Sequence, residues 1–302
     1  MVAGASATGG TFDVIELTAG ELSLGIVPEI GGSLAYLRHS GIDLMRPLSE
    51  AHLRSGNVLG VAMFPMVPYA NRIAGNAFEF GGKTWRFEPN NPPERFNVHG
   101  TGWRSPWSAH RSADGVLLSL DHSKADEPYS YRATQSFVLT ASGLRVTLAL
   151  GNIGAVTMPF GFGLHPWFIR DPDVELAFKA SHFFMEGPEG VATERLATPP
   201  ELDFSRSRAL PNSWRNNDYG GWDGRAEIRF PSRRLGLIIE ADPVFGHLMF
   251  YADPAQPYFC VEPQSNAPCA FNRSGAAEAM GTIVLAPGET VNGKIGFLPF
   301  SL

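Results

Sequence analysis

Two side chains in this 302-residue chain stand where a proton would be handled rather than simply solvated. Glu262 follows directly on the apolar run Tyr258-Phe259-Cys260-Val261 and precedes Pro263-Gln264-Ser265-Asn266. A carboxylate at the end of a buried strand costs several kcal/mol to ionise without partners. It therefore either accepts hydrogen bonds from loop amides or uses a raised proton affinity for general base work. His165 lies in Gly161-Phe162-Gly163-Leu164-His165-Pro166-Trp167-Phe168, between a glycine-interrupted strand and a proline, with the Trp167 indole beside it. It is either a core histidine or one that a rigid strand end aims outward. A third group, His99 in Asn97-Val98-His99-Gly100, can donate or accept near neutrality, or bond structurally in its loop. A fourth, Arg72 beside Asn71 in Pro68-Tyr69-Ala70-Asn71-Arg72-Ile73, offers a planar fork to hydroxyl or carboxylate oxygens, or pins loop carbonyls.

A carboxylate base with a histidine acid is the pair that moves protons at two oxygens of one small molecule, with no nucleophile or metal. The chemistry this points to is proton shuttling on a polyol or hemiacetal. Tryptophans suit such a ligand, because sugar rings present apolar CH faces that pack on aromatic surfaces. A glycosidase would want two carboxylates flanking the bond, and only one of these groups centres on a carboxylate. The glycine-rich dinucleotide and phosphate loops, the Gly-x-Ser-x-Gly elbow and His-Glu-x-x-His are all missing. No two of the eight histidines stand two or four apart, so a cupin-like metal site is not expected and the metal expectation is none.

The elements that must position these groups read as strands. Short runs of β-branched and aromatic residues alternate with polar ones and are separated by glycine, proline, asparagine and aspartate. Four antiparallel hairpins are expected: 12–17 with 22–27, 135–140 with 144–150, 226–230 with 235–240, and 282–285 with 291–298. Segment 56–107 carries prolines at 65, 68, 89, 92 and 93 and reads as irregular surface, with little strand in its first half. Its Trp85, Phe87, Phe96 and Trp103 are too many aromatics for disorder, so a functional role is expected of it. With hairpins in both halves and no linker between them, residues 1–302 are expected to form one domain, an all-β, large antiparallel twisted β-sandwich.

The formal charge of -6, without a lysine or arginine cluster, argues against nucleic acid and anionic membrane as partners. Cys260 and Cys269 are too few for a disulfide framework and are expected to be reduced core residues. No secretory signal and no apolar run of about 18 residues is visible, so a cytoplasmic protein is expected, monomer or homodimer.

Taken in order, Asn71-Arg72-Ile73, His99-Gly100, His165-Pro166 and Val261-Glu262-Pro263 resemble the aldose 1-epimerase (galactose mutarotase) family, over about residues 12–297. The resemblance implies a supersandwich with an open cleft that interconverts the α and β anomers of free aldohexoses without cofactor. It implies Glu262 as the base at the C1 hydroxyl and His165 as the acid at the ring oxygen. His99 would hold the ring oxygen or a neighbouring hydroxyl, and Arg72 with Asn71 would bind sugar hydroxyls. The family's substrate-binding aspartate falls in Asn216-Asn217-Asp218-Tyr219-Gly220-Gly221-Trp222-Asp223-Gly224, on Asn216 in one register and on Asp218 in another. Trp167 is a further candidate for sugar contact. Two rival readings are a hexose-6-phosphate 1-epimerase, with Arg95 and Arg104 as phosphate ligands, and a non-catalytic carbohydrate-binding protein of the same fold.

Overall fold

The computed structural model describes residues 12–113, 115–187, 191–273 and 278–302, and these are all-β apart from short helical turns. Two large antiparallel sheets dominate. The eleven-stranded sheet runs Ile15–Ala19, Leu22–Val27, Ser33–His39, Met63–Met66, Gly163–Ile169, Tyr258–Gln264, His247–Ala252, Arg215–Gly220, His182–Glu186, Ala192–Leu196, with Ile42–Asp43 beside Ser33–His39. The nine-stranded sheet runs Ser108–Ser112, Gly115–Ser123, Ser130–Thr140, Gly143–Asn152, Thr290–Ser301, Leu235–Ala241, Arg225–Phe230, Glu175–Phe178, Arg208–Ala209. No helix among the described residues is long and apolar enough to cross a membrane.

The period of two along each strand decides what each face does. In Tyr258–Gln264, Phe259 and Val261 join an apolar cluster that also contains Leu148, Ile239 and Phe297 of the other sheet. Each such side chain contributes roughly 1.5–3 kcal/mol on burial, so this inter-sheet core is the main source of stability. Cys260, between them, belongs to a second cluster with Phe64, Trp103 and Trp167 on the opposite face. That second face is where the candidate residues stand.

Three of the four expected hairpins are present. Ile15–Ala19 pairs with Leu22–Val27, Ser130–Thr140 with Gly143–Asn152, and Arg225–Phe230 with Leu235–Ala241. The fourth is not. Ile283–Leu285 pairs with Met158–Phe160, while Thr290–Ser301 lies between Gly143–Asn152 and Leu235–Ala241. Alternation identifies a strand but not its partner, and the nine-stranded sheet offers Thr290–Ser301 two neighbours instead of one.

Segment 56–107 also differs from its expected form. Its first half supplies Met63–Met66, a fully buried strand next to Gly163–Ile169, with Pro65 inside it. Proline removes one donor, but its fixed φ remains within the extended range, so the strand passes through it. The rest of the segment forms a two-residue ladder, Arg72–Ile73 with Asn97–Val98, and a hairpin, Ala77–Phe80 with Lys83–Arg86, whose Phe78 belongs to the first cluster. Trp103 and Phe96 are buried there, which explains the aromatic content.

Candidate active site

Register brings the candidates onto one row after another of the second face. Gly163 pairs with Gln264 and Trp167 with Cys260, which sets His165 opposite Glu262. Met249 pairs with Glu262 on the far side, and Tyr251 pairs with both Cys260 and Asn216. A cleft of about 250 Å³ opens above these strands, lined by Arg72, His99, His165, Trp214, Asn216 and Glu262 among others.

Glu262 Oε1 lies 3.3 Å from His165 Nε2 on the cleft floor. They are immediate neighbours, with no room for a sugar ring between them. Burial pushes the Glu262 carboxyl well above the carboxylate range; the Arg72 charge opposes this and the Asp218 charge adds to it. Burial, reinforced by the Arg46 guanidinium, pushes the His165 imidazole down to about 3. Each group is thus held towards its uncharged form. The His165 ring stacks on Trp167, with centroids 4.2 Å apart, and leans on Phe64 at 4.7 Å. Arg46 lies over both Trp167 and Tyr258 at 4.4 and 4.6 Å and donates to the Leu59 and Val61 carbonyls, which fixes that stack from behind.

His99 and Asn71 both adopt left-handed backbone conformations, φ 58° and 63°. The His99 N–H donates to the Asn71 carbonyl at 2.9 Å, and the Asn71 N–H donates to His99 Nδ1 at 3.0 Å. Because Nδ1 accepts, the neutral ring carries its proton on Nε2 and can offer a ligand only a donor. Burial, then the neighbouring His165 and Arg72, hold His99 well below the usual imidazole range. Arg72 donates through Nε and Nη2 to Glu94 Oε2, at 2.9 and 2.7 Å. Burial alone would raise the Glu94 carboxyl, but the Arg72 bonds and backbone amides outweigh it and hold it low.

Asn216 lines the cleft, whereas Asp218 is buried two residues along, facing His247 Nδ1 at 2.8 Å and Gln264 Nε2 at 3.1 Å. A wider cleft of about 670 Å³ adjoins the first, sharing Arg72, Trp214 and Asn216 and adding Glu94, Arg95 and Glu186. Of the two arginines considered for phosphate, Arg95 borders this outer cleft, while Arg104 lies over Trp103 and donates to the Asn91 side chain. Nothing local in the sequence singles out Arg46, Glu94, Glu186, Met249, Tyr251 or Tyr258 as neighbours of the site. Trp214 is a further cleft residue with a usable local signal, an indole in a stretch rich in polar and turn-forming residues.

His165, Cys260 and Glu262 also offer one donor atom each, all within 4.8 Å of one another, a group that could hold a metal ion. A thiophilic cation there would occupy the same atoms as the acid–base pair. Cys260 and Cys269 are both buried and neither is in a disulfide.

The sequence model of the aldose 1-epimerase family matches residues 13–298. The chain is 34% identical over 291 residues to the uncharacterized protein YphB of Escherichia coli K12, covering 93% of this chain and 97% of that one. A solved Escherichia coli K12 structure superposes with a TM-score of 0.89 at 33% identity, over 96% of this chain and all of that one. A galactose mutarotase-like protein from Clostridium acetobutylicum shares the fold, with a TM-score of 0.86 at 21% identity and 96% coverage of both chains.

Proposed function

The chain belongs to the aldose 1-epimerase family, and from that premise we propose that it interconverts the α and β anomers of a free aldose by opening and reclosing the hemiacetal ring. One observation carries this reading: Glu262 and His165 side by side, 3.3 Å apart, on the floor of a sugar-sized cleft. O1 and O5 of an aldopyranose hang on the same carbon, so the two groups that serve them must be close neighbours. The ring lies over the pair.

Glu262 takes the proton from O1 while His165 gives one to O5. The C1–O5 bond breaks and the aldehyde forms. After rotation about C1–C2, O5 attacks the other face and both proton transfers reverse. The pair holds one proton at the start, in the middle and at the end, so nothing has to be supplied from outside. Burial favours that proton on Glu262, and from the uncharged arrangement the same exchange runs with the two roles traded. The His99 Nε2–H donates to a ring or hydroxyl oxygen, and Arg72 and Asn216 bind the distal hydroxyls. Trp214 offers its face to the sugar CH groups at the mouth.

An unphosphorylated substrate follows from the charge already present. Arg72 is paired with Glu94, and Glu186 adds a second carboxylate to the wall beside Asn216. The test is polarimetry on freshly dissolved α-glucose, α-galactose and other aldoses. A rate equal to buffer alone across the panel removes the reading, and a strong preference for glucose 6-phosphate over glucose removes its unphosphorylated part.

A further inference from the structure

We propose that Glu186 is a positioning residue that determines how Asn216 reads the sugar: by taking an Asn216 N–H, it leaves the carboxamide oxygen to accept a bond from a substrate hydroxyl. The inference rests on the mutarotase reading above. Asn216 Nδ2 donates to Glu186 Oε1 at 2.7 Å. A carboxamide has a donating end and an accepting end, whereas a carboxylate only accepts. The nitrogen end must therefore face Glu186, and the oxygen is the end left for a ligand.

The backbone is built to make this contact. His182 pairs with Gly220 and Phe184 with Asp218, so two residues on the same register brings Glu186 beside Asn216. The register with the next strand shifts between Met185 and Glu186, and a bulge of that kind re-aims a side chain at the edge of a site. Glu186 is half-buried, and burial raises its carboxyl while the Asn216 bond opposes the rise. Asp218 cannot take over as acceptor, since His247 and Gln264 already engage it. Arg72 supplies a donor across the same cleft. A donor and an oriented acceptor together suit a sugar with two free hydroxyls at the end remote from its anomeric carbon.

The experiment compares Glu186→Ala, Glu186→Gln, Asn216→Asp and the double variant Glu186→Ala/Asn216→Asp, each read by polarimetry for kcat and KM and by calorimetry for sugar Kd. Glu186→Ala is expected to raise KM and Kd about 10-fold with kcat within about 2-fold, the pattern of lost binding without lost chemistry. Glu186→Gln keeps an accepting oxygen and stays within about 3-fold of the parent. Asn216→Asp alone sets two carboxylates in contact and binds about 10-fold more weakly. In the double variant the carboxylate introduced at position 216 accepts without help, so affinity returns to within about 3-fold of the parent, a reciprocal rescue that a structural role for Glu186 does not produce. The proposal is overturned if Glu186→Ala leaves KM and Kd unchanged, or if the two losses multiply in the double variant. If the parent binds sugar without turning it over, the mutarotase reading fails while the Kd series still decides the role of Glu186. Neither turnover nor binding overturns both.

Discussion

The Asn71 and His99 backbones each supply a hydrogen bond to the other residue, N–H to carbonyl in one direction and N–H to imidazole Nδ1 in the other, while both residues hold left-handed φ. Such conformations cost on the order of 1–3 kcal/mol each and persist where the surroundings over-determine them. Here the result is an imidazole with one permitted tautomer. Nitrogen NMR should show His99 protonated at Nε2 only, with its titration displaced well below the ordinary imidazole value. A titration near about 6.5 would remove His99 as a fixed donor.

Glu262→Gln and His165→Gln should each lower kcat by about 10²–10⁴, because each deletes one proton carrier from the exchange. KM should move little. Calorimetry should show that both variants still bind sugar, which separates an enzyme from a mere carbohydrate binder: a parent protein with binding but no turnover belongs to the second class.

The folded state raises Glu262's proton affinity above that of the unfolded chain, so its contribution to stability is present below the unfolded carboxyl value and is lost as pH rises through the folded one. Glu262→Gln removes that loss. The variant should melt about 2–4 °C higher than the parent at pH 8, with the difference shrinking towards about pH 4. His165 acts in the opposite sense. Its folded value of about 3 means that stability falls as acid protonates the unfolded imidazole first. Melting curves across pH check both signs, and an equal gain for Glu262→Gln at every pH would contradict the assignment.

Arg46→Met should destabilise the protein by about 2–4 kcal/mol, because the guanidinium's bonds to the Leu59 and Val61 carbonyls have no replacement. It should also let the Trp167 and His165 stack loosen, so kcat/KM falls by roughly tenfold. Urea unfolding together with polarimetry measures the two effects on one sample. Wild-type kcat/KM in a destabilised Arg46→Met would show that the stack needs no support.

Trp214 is 48% exposed at the join of the inner and outer clefts. Its fluorescence should change on addition of a sugar that is turned over, and Trp214→Ala should raise KM about 5-fold without lowering kcat. A sugar-induced fluorescence change that survives in Trp214→Ala would point to another indole.

His165, Glu262, His99 and Arg72 could be found in the sequence because each is a polar residue stranded among glycine, proline and aromatic neighbours, a purely local signal. The residues that hold them could not. Arg46 reads as an ordinary arginine until the fold lays it over Trp167 and Tyr258, both remote from it in the chain. Glu94 and Glu186 are commonplace carboxylates until a turn and a bulge bring them to Arg72 and Asn216. Strand partners were hidden for the same reason: 283–285 and 290–301 alternate as a hairpin would, yet each pairs with a strand remote in the chain. Proline misled in the other direction, since Pro65, Pro166 and Pro263 all lie inside central strands.

In Tyr258–Gln264, oily and reactive side chains take turns, Phe259 and Val261 one way, Cys260 and Glu262 the other. A slip of a single residue in that strand would bury the Glu262 carboxyl among the inter-sheet aromatics and bring Val261 to the cleft. Misassembled molecules are therefore both unstable and inert, and turnover doubles as an assay of how faithfully the two sheets were put together.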